Sequence, residues 1–171
     1  MSDDYPWDVG RSEDECEFLG ALKHLHNCSG LFDAWTLHPQ LLVTLDIVDP
    51  DQRGVLRTLR VDFDGHSLVG GNDPSHQMTE SELNPGDPYS EDLDYFELRG
   101  DFTPTELAEH AFDWFKRQAS RPIDRLEWDG PEHVWTLWSL ADSGEALSAR
   151  YTNRPDRPPD RAIRLKSPVI S

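Results

Sequence analysis

The stretch LLVTLDIVDPDQRGVLRTLRVDFDG, residues 41–65, decides the fold class. Leu41, Val43, Leu45 and Ile47 alternate with Leu42, Thr44 and Asp46, the period of a half-buried strand. Asp49-Pro-Asp-Gln-Arg-Gly54 reads as a turn. The alternation then resumes, with Leu59, Val61 and Phe63 on one side and Thr58, Arg60 and Asp62 on the other. Asp64-Gly65 is a tight hairpin signal, because such turns need a positive φ that glycine adopts freely. A third strand begins over Ser67 to Val69, so this part of the chain is a β-meander.

Before the meander, Ser12 stands three residues ahead of Glu15, the spacing of a capping box. Phe18, Leu19, Leu22 and Leu25 follow at helical spacing, and the acids at 13, 14, 15 and 17 suit the positive end of the helix dipole. After the meander, 70–92 is rich in Gly, Pro, Ser, Asn and acid without a period, and reads as a long loop. Asp94 to Leu98 reads as a strand. Thr103, Pro104 and Glu106 then make a second capping box, with Phe102 and Leu107 placed for a hydrophobic staple. Leu107, Ala111, Trp114 and Phe115 form the apolar stripe, and Pro122 ends the helix. Ile123 to Trp128, Val134 to Leu140 and Ala146 to Tyr151 read as strands, with Arg161 to Lys166 as an edge strand.

The expected fold is therefore α+β: one or two antiparallel β-meander sheets with two amphipathic helices packed on them, over Ser12–His26 and Thr103–Ser120. The expected domain organisation is one domain over 1–171, with a flexible 1–11 and an acidic loop at about 70–92. The expected core is Leu22, Val43, Leu45, Val61, Leu107, Ala111, Phe115, Leu126, Trp135 and Leu137. With 171 residues, such a chain buries enough surface to fold without staples.

The formal net charge is -17. That balance disfavours nucleic acid and anionic membranes, which are bound through cationic side chains, and favours basic protein surfaces. No apolar run is long enough to span a bilayer, and the acidic start is unlike a secretory leader. Cys16 and Cys28, on and near the end of one helix, are too far apart to bridge. The chain reads as cytoplasmic, with reduced thiols.

No GxxxxGK, GxGxxG, GxSxG or CxxC pattern occurs. His24 and His26 are two apart and point to different helix faces; His38, His66, His76, His110 and His133 are scattered, and no HExxH occurs. Asp49, Asp51 and Gly54, and Asp62, Asp64 and Gly65, start like calcium loops. The twelfth position from Asp49 is Arg60, however, and both stretches lie between strands, so hairpin turns are the better reading. The expectation is no catalytic residues, no metal and no cofactor. Trp114, Trp128, Trp135 and Trp138 are compatible with a sugar platform, but their spacing favours core.

Residues 73–101 hold nine acids and one arginine, whereas 150–166 holds six basic residues and two acids. The acidic stretch is the candidate partner-binding surface: Glu80, Glu82, Asp87, Glu91, Asp92 and Asp94 for steering, with Tyr89 and Tyr95 as anchors. Its plainer reading is a solvated loop docked on the basic tail.

Trp114-Phe-Lys-Arg-Gln, Arg121-Pro122, Glu127-Trp128, Trp135 and Ala141-Asp142-Ser143-Gly144 resemble a pattern in small uncharacterised actinobacterial proteins, over about residues 102–150. Thirteen arginines against three lysines fit a GC-rich genome. Small acidic proteins of this appearance include immunity proteins of bacterial toxin systems. The resemblance implies a non-catalytic, acidic protein-binding module that occludes a basic toxin, its partner a basic protein such as a toxin domain. The alternatives are a hydrolase with a carboxylate- or metal-based site and a structural or dimerisation protein.

Overall fold

The computed structural model describes residues 11–25, 32–37 (backbone alone for 35–37), 40–51, 54–73, 94–151 and 153–166. Two helices and two antiparallel sheets make an α+β fold. The first sheet is a five-stranded meander in chain order: β1 (Phe32–Leu37), β2 (Gln40–Val48), β3 (Val55–Phe63), β4 (Ser67–Asp73) and β5 (Phe96–Arg99). The second contains β6 (Ile123–Asp129), β7 (Val134–Leu140), β8 (Ala146–Arg150) and β9 (Arg161–Arg164), in the order β8-β7-β6-β9. The helices are α1 (Glu13–Leu25) and α2 (Pro104–Ala119); they pack on each other, and α2 also packs on β3 and β4.

Local chemistry sets the element ends as expected. In α1, the Glu15 amide donates to Ser12 Oγ at 3.1 Å, and the Ser12 amide donates to Glu15 Oε2 at 2.8 Å. Thr103 and Glu106 repeat this reciprocal bonding at α2, with Pro104 in the first turn. The β3–β4 hairpin turns at Gly65, with φ +97, while Asp64 accepts hydrogen bonds from the amides of His66 and Ser67. Phe102 meets His110 edge-on, with ring centroids 5.6 Å apart, and packs against the core.

The core lies between the first sheet and the helices and extends into the second sheet. Phe18 of α1 stacks on Phe63 of β3 at 4.4 Å, Phe32 of β1 meets Phe115 of α2 at 4.9 Å, and Phe96 of β5 meets Trp114 at 5.1 Å. Burying each such ring contributes roughly 1.5–3 kcal/mol. Leu22, Val43, Leu45, Val61, Leu107, Ala111 and Phe115 are buried as expected.

Three expectations for the core are corrected. Leu126, Trp135 and Leu137 are only half-buried. The β6–β7 register pairs Ile123 with Leu140, Arg125 with Trp138 and Glu127 with Thr136, and places Leu126, Leu137, Trp128 and Trp135 on the opposite face. It is the first set that turns inward: Ile123, Trp138 and Leu140 join the common core, while Arg125 and Glu127 are buried beside them. Side-chain alternation has a period of two, so both faces of β6 and β7 satisfied the same pattern. The inward face is the one whose arginine meets a buried carboxylate from the first sheet.

Further differences concern the first sheet. β1 was not expected. β2 is buried on both faces, with Leu42 and Thr44 as covered as Val43 and Leu45, so its alternation is not that of a half-exposed strand. β4 continues through Gly70, Gly71 and Asn72 to Asp73, into the stretch read as loop. Gly70 permits this, because the Phe96 ring of the paired β5 lies directly over it.

Candidate functional site

Of the residues expected to bind a partner, Glu80, Glu82, Asp87, Tyr89, Glu91 and Asp92 lie outside the described residues. Asp94 and Tyr95 are described, and the fold treats them differently. Asp94 is largely buried: its carboxylate accepts from Arg57 Nη2 at 2.8 Å, from Gln118 Nε2 at 3.2 Å, and from Arg121. Its carbonyl accepts from the Trp114 indole at 3.1 Å. Asp94 is therefore a framework residue that ties the entry of β5 to β3 and α2. Tyr95 is exposed, and its hydroxyl donates to Glu97 at 3.0 Å.

At the other end of the acidic stretch, Asp73 is 1% exposed and pairs with Arg60 at 3.3 Å. Arg60 also grips Asp62 through two hydrogen bonds, of 2.6 and 2.8 Å. Burial is the largest influence on Asp62 and raises its pKa above the ordinary aspartate value, against the lowering effect of Arg60; the nearby Asp73 charge raises it further. Segment 74–93 thus begins and ends at carboxylates held by arginines of β3.

Three of the five described arginines of the basic tail are used within the second sheet. Arg157 pairs with Asp160, Arg161 with Glu127 and Asp129, and Arg164 with Asp124. The Arg161 and Arg164 ties dock the tail on β6. The Arg157 bond and the Asp129 amide hold Asp160 down to about 2.

Charged groups outside the expected partner-binding surface form the seam between the sheets. Asp49, read as part of a turn and weighed as the start of a calcium loop, is 0% exposed. It accepts from Arg125 Nη1 at 2.9 Å and from the Trp138 indole at 2.7 Å. Arg125 also pairs with Asp51 and Glu127. Burial would raise the Asp49 pKa, but the bonds from Arg125, Trp138 and the Asp51 amide outweigh it, and the carboxyl sits below its ordinary value. Both carboxylates that suggested a calcium loop, Asp49 and Asp51, are thus engaged by an arginine. Arg57, 1% exposed, was equally invisible within an alternating strand.

The second sheet carries a concavity of about 350 Å³ lined by Trp128, Thr136, Leu137, Ala149, Tyr151 and Arg154. The Trp128 indole donates to the Arg157 carbonyl at 2.7 Å, and the Arg154 guanidinium lies over the same ring, 5.5 Å from its centroid. His133 packs 4.2 Å from both Trp135 and Tyr151. Tyr151 is 53% exposed and takes a left-handed backbone, with φ +66. The tryptophan spacing favoured core over a sugar platform, and Trp114, Trp128 and Trp138 are buried while Trp135 is half-buried.

Among the described residues, no group of three or more His, Cys, Asp and Glu is placed to hold a metal ion, and no helix is long and apolar enough to cross a membrane. Cys16 is an exposed free thiol, and Cys28 lies outside the described residues. No family model, no curated protein and no solved structure matches this chain.

Proposed function

We propose that this chain is a non-catalytic protein-binding module whose acidic segment engages a basic partner, in the manner of an immunity protein that covers a basic toxin domain. The observation that carries the reading is the pinning of both ends of segment 74–93. Asp73 is held by Arg60, and Asp94 by Arg57 and Arg121, all on or against the core. Between them lie Glu80, Glu82, Asp87, Glu91 and Asp92, with no lysine or arginine. Fixing both ends of a charged segment lowers the ordering cost of binding, and its field speeds encounter with a cationic surface. Tyr89 and the exposed Tyr95 would supply the anchoring area that charges lack. Occlusion follows if the segment occupies the cationic cleft where the partner receives its own anionic substrate.

The test begins with capture from the source lysate at low salt and elution along a salt gradient. The on-rate of the captured protein is then compared for the native chain and for a variant carrying Glu82→Gln, Asp87→Asn, Glu91→Gln and Asp92→Asn. The expected result is an on-rate lower by roughly tenfold or more at low salt, converging with the native value as salt rises. An unchanged on-rate would sink the reading for this segment.

A further inference from the structure

We propose that the concavity between Trp128, Leu137, Tyr151 and Arg154 binds a small planar ring bearing a single carboxylate, a site built on residues of the second sheet and the basic tail. Its volume, about 350 Å³, lies near the lower end of the range for small-molecule pockets, roughly 300–1,000 Å³. Its walls suit a ring: the Tyr151 phenol, the Leu137 and Ala149 side chains and the Trp128 indole, with the Thr136 residue at the lining.

The charge preference comes from Arg154. Three other arginines of the tail are engaged: Arg157 by Asp160, Arg161 by Glu127 and Asp129, and Arg164 by Asp124. Among the described residues, Arg154 has no carboxylate partner, in a chain with seventeen more formal negative charges than positive ones. The Arg154 guanidinium carbon, 5.5 Å from the Trp128 ring centroid, places the positive charge at the concavity. A planar fork matches a carboxylate through two parallel hydrogen bonds. One guanidinium meets one negative charge; a polyphosphate would face the net charge of the whole chain with the same single cation.

Tyr151 supplies the second, independent observation. A tyrosine at φ +66 holds a backbone conformation that non-glycine residues rarely take, and such outliers gather at ligand clamps. Here the conformation keeps a half-exposed phenol against His133, which in turn rests on Trp135. The ring is thus in contact with His133 while its residue lines the concavity and stays 53% exposed.

The experiment follows the Trp128 indole N–H by ¹H–¹⁵N correlation during titration with indole-3-acetate and benzoate. Their neutral counterparts, indole-3-ethanol and benzyl alcohol, serve as controls. The proposal expects saturable shifts with the acids at Kd at or below about 1 mM, and binding of the alcohols weaker by roughly tenfold. Arg154→Gln should erase the difference between acid and alcohol. Tyr151→Gly, which tolerates the left-handed backbone, should weaken both; each variant changes an exposed side chain, and its fold is checked by circular dichroism. Equal shifts with acid and alcohol in the native chain, shifts unchanged in both variants, or no saturable shift would each overturn it. Any of these leaves the partner-binding reading untouched, because that reading rests on other residues.

Discussion

Asp49 and Arg125, 76 residues apart in the chain, meet at 2.9 Å where the first sheet joins the second. The Trp138 indole closes on the same carboxylate at 2.7 Å, so one side chain of the β2–β3 turn holds both central strands of the second sheet. A buried pair is costly to assemble but costlier to break, since removing one partner strands the other charge out of water.

Asp49→Ala should therefore destabilise the chain by about 3 kcal/mol, less than a fully isolated charge would cost because Arg125 keeps Asp51 and Glu127. Urea unfolding checks this: the midpoint should fall with the slope unchanged. A midpoint within error of the native one would mean that the seam is held by packing alone.

Asp49 and Asp62 should show opposite pH signatures. The folded pKa of Asp49 lies below its ordinary value of 3.8, so its contribution is complete above that value and is lost as pH falls through the folded pKa. The folded pKa of Asp62 is raised by burial, so its contribution is greatest below 3.8 and is lost as pH rises through the folded pKa. Carboxyl-detected NMR titration should place the two midpoints on opposite sides of 3.8; midpoints on the same side would contradict the burial and bonding described for them.

Asp94 and Tyr95 adjoin in sequence but should separate in experiment. Asp94→Ala leaves the buried Arg57 with the neutral partners Asn72 and Gln118, and should cost about 3 kcal/mol or more. Tyr95→Ala removes an exposed ring and should change stability by less than about 1 kcal/mol. Thermal melts of the two variants decide the matter, and similar losses would show that Tyr95 also belongs to the framework.

Gly70→Ala should be destabilising through a single contact. An added Cβ would stand 2.0 Å from Phe96 Cε1, so the ring must leave its place against Trp114. The expected cost is about 1–3 kcal/mol. Combining Gly70→Ala with Phe96→Leu should recover part of it, and strict additivity of the two changes would deny the coupling.

Much of the framework was legible because its causes are local. Ser12 with Glu15, and Thr103 with Glu106, announce helix starts through bonds that span three residues. Asp64-Gly65 announces its hairpin through one positive φ. Alternation over 41–47 and 55–63 announces strands whatever their neighbours. Of the candidate partner-binding residues, only Asp94 and Tyr95 fall where the structure describes them. An acidic residue near others of its kind looks the same whether it faces water or Arg57, so Asp94's framework role left no trace in the sequence.

By itself, the sequence determined the class of the fold, the starts of both helices, the meander, the excess of negative charge and seven of the ten core residues it named. Only the tertiary structure decided which face of β6 and β7 turns inward, and with it the placing of Leu126, Trp135 and Leu137 around the aromatic side of the second sheet. Period-two patterning is symmetric between the two faces of a strand. The symmetry is broken by a contact between distant segments, Asp49 with Arg125 and Trp138, whose energy depends on burial that no local stretch of sequence contains.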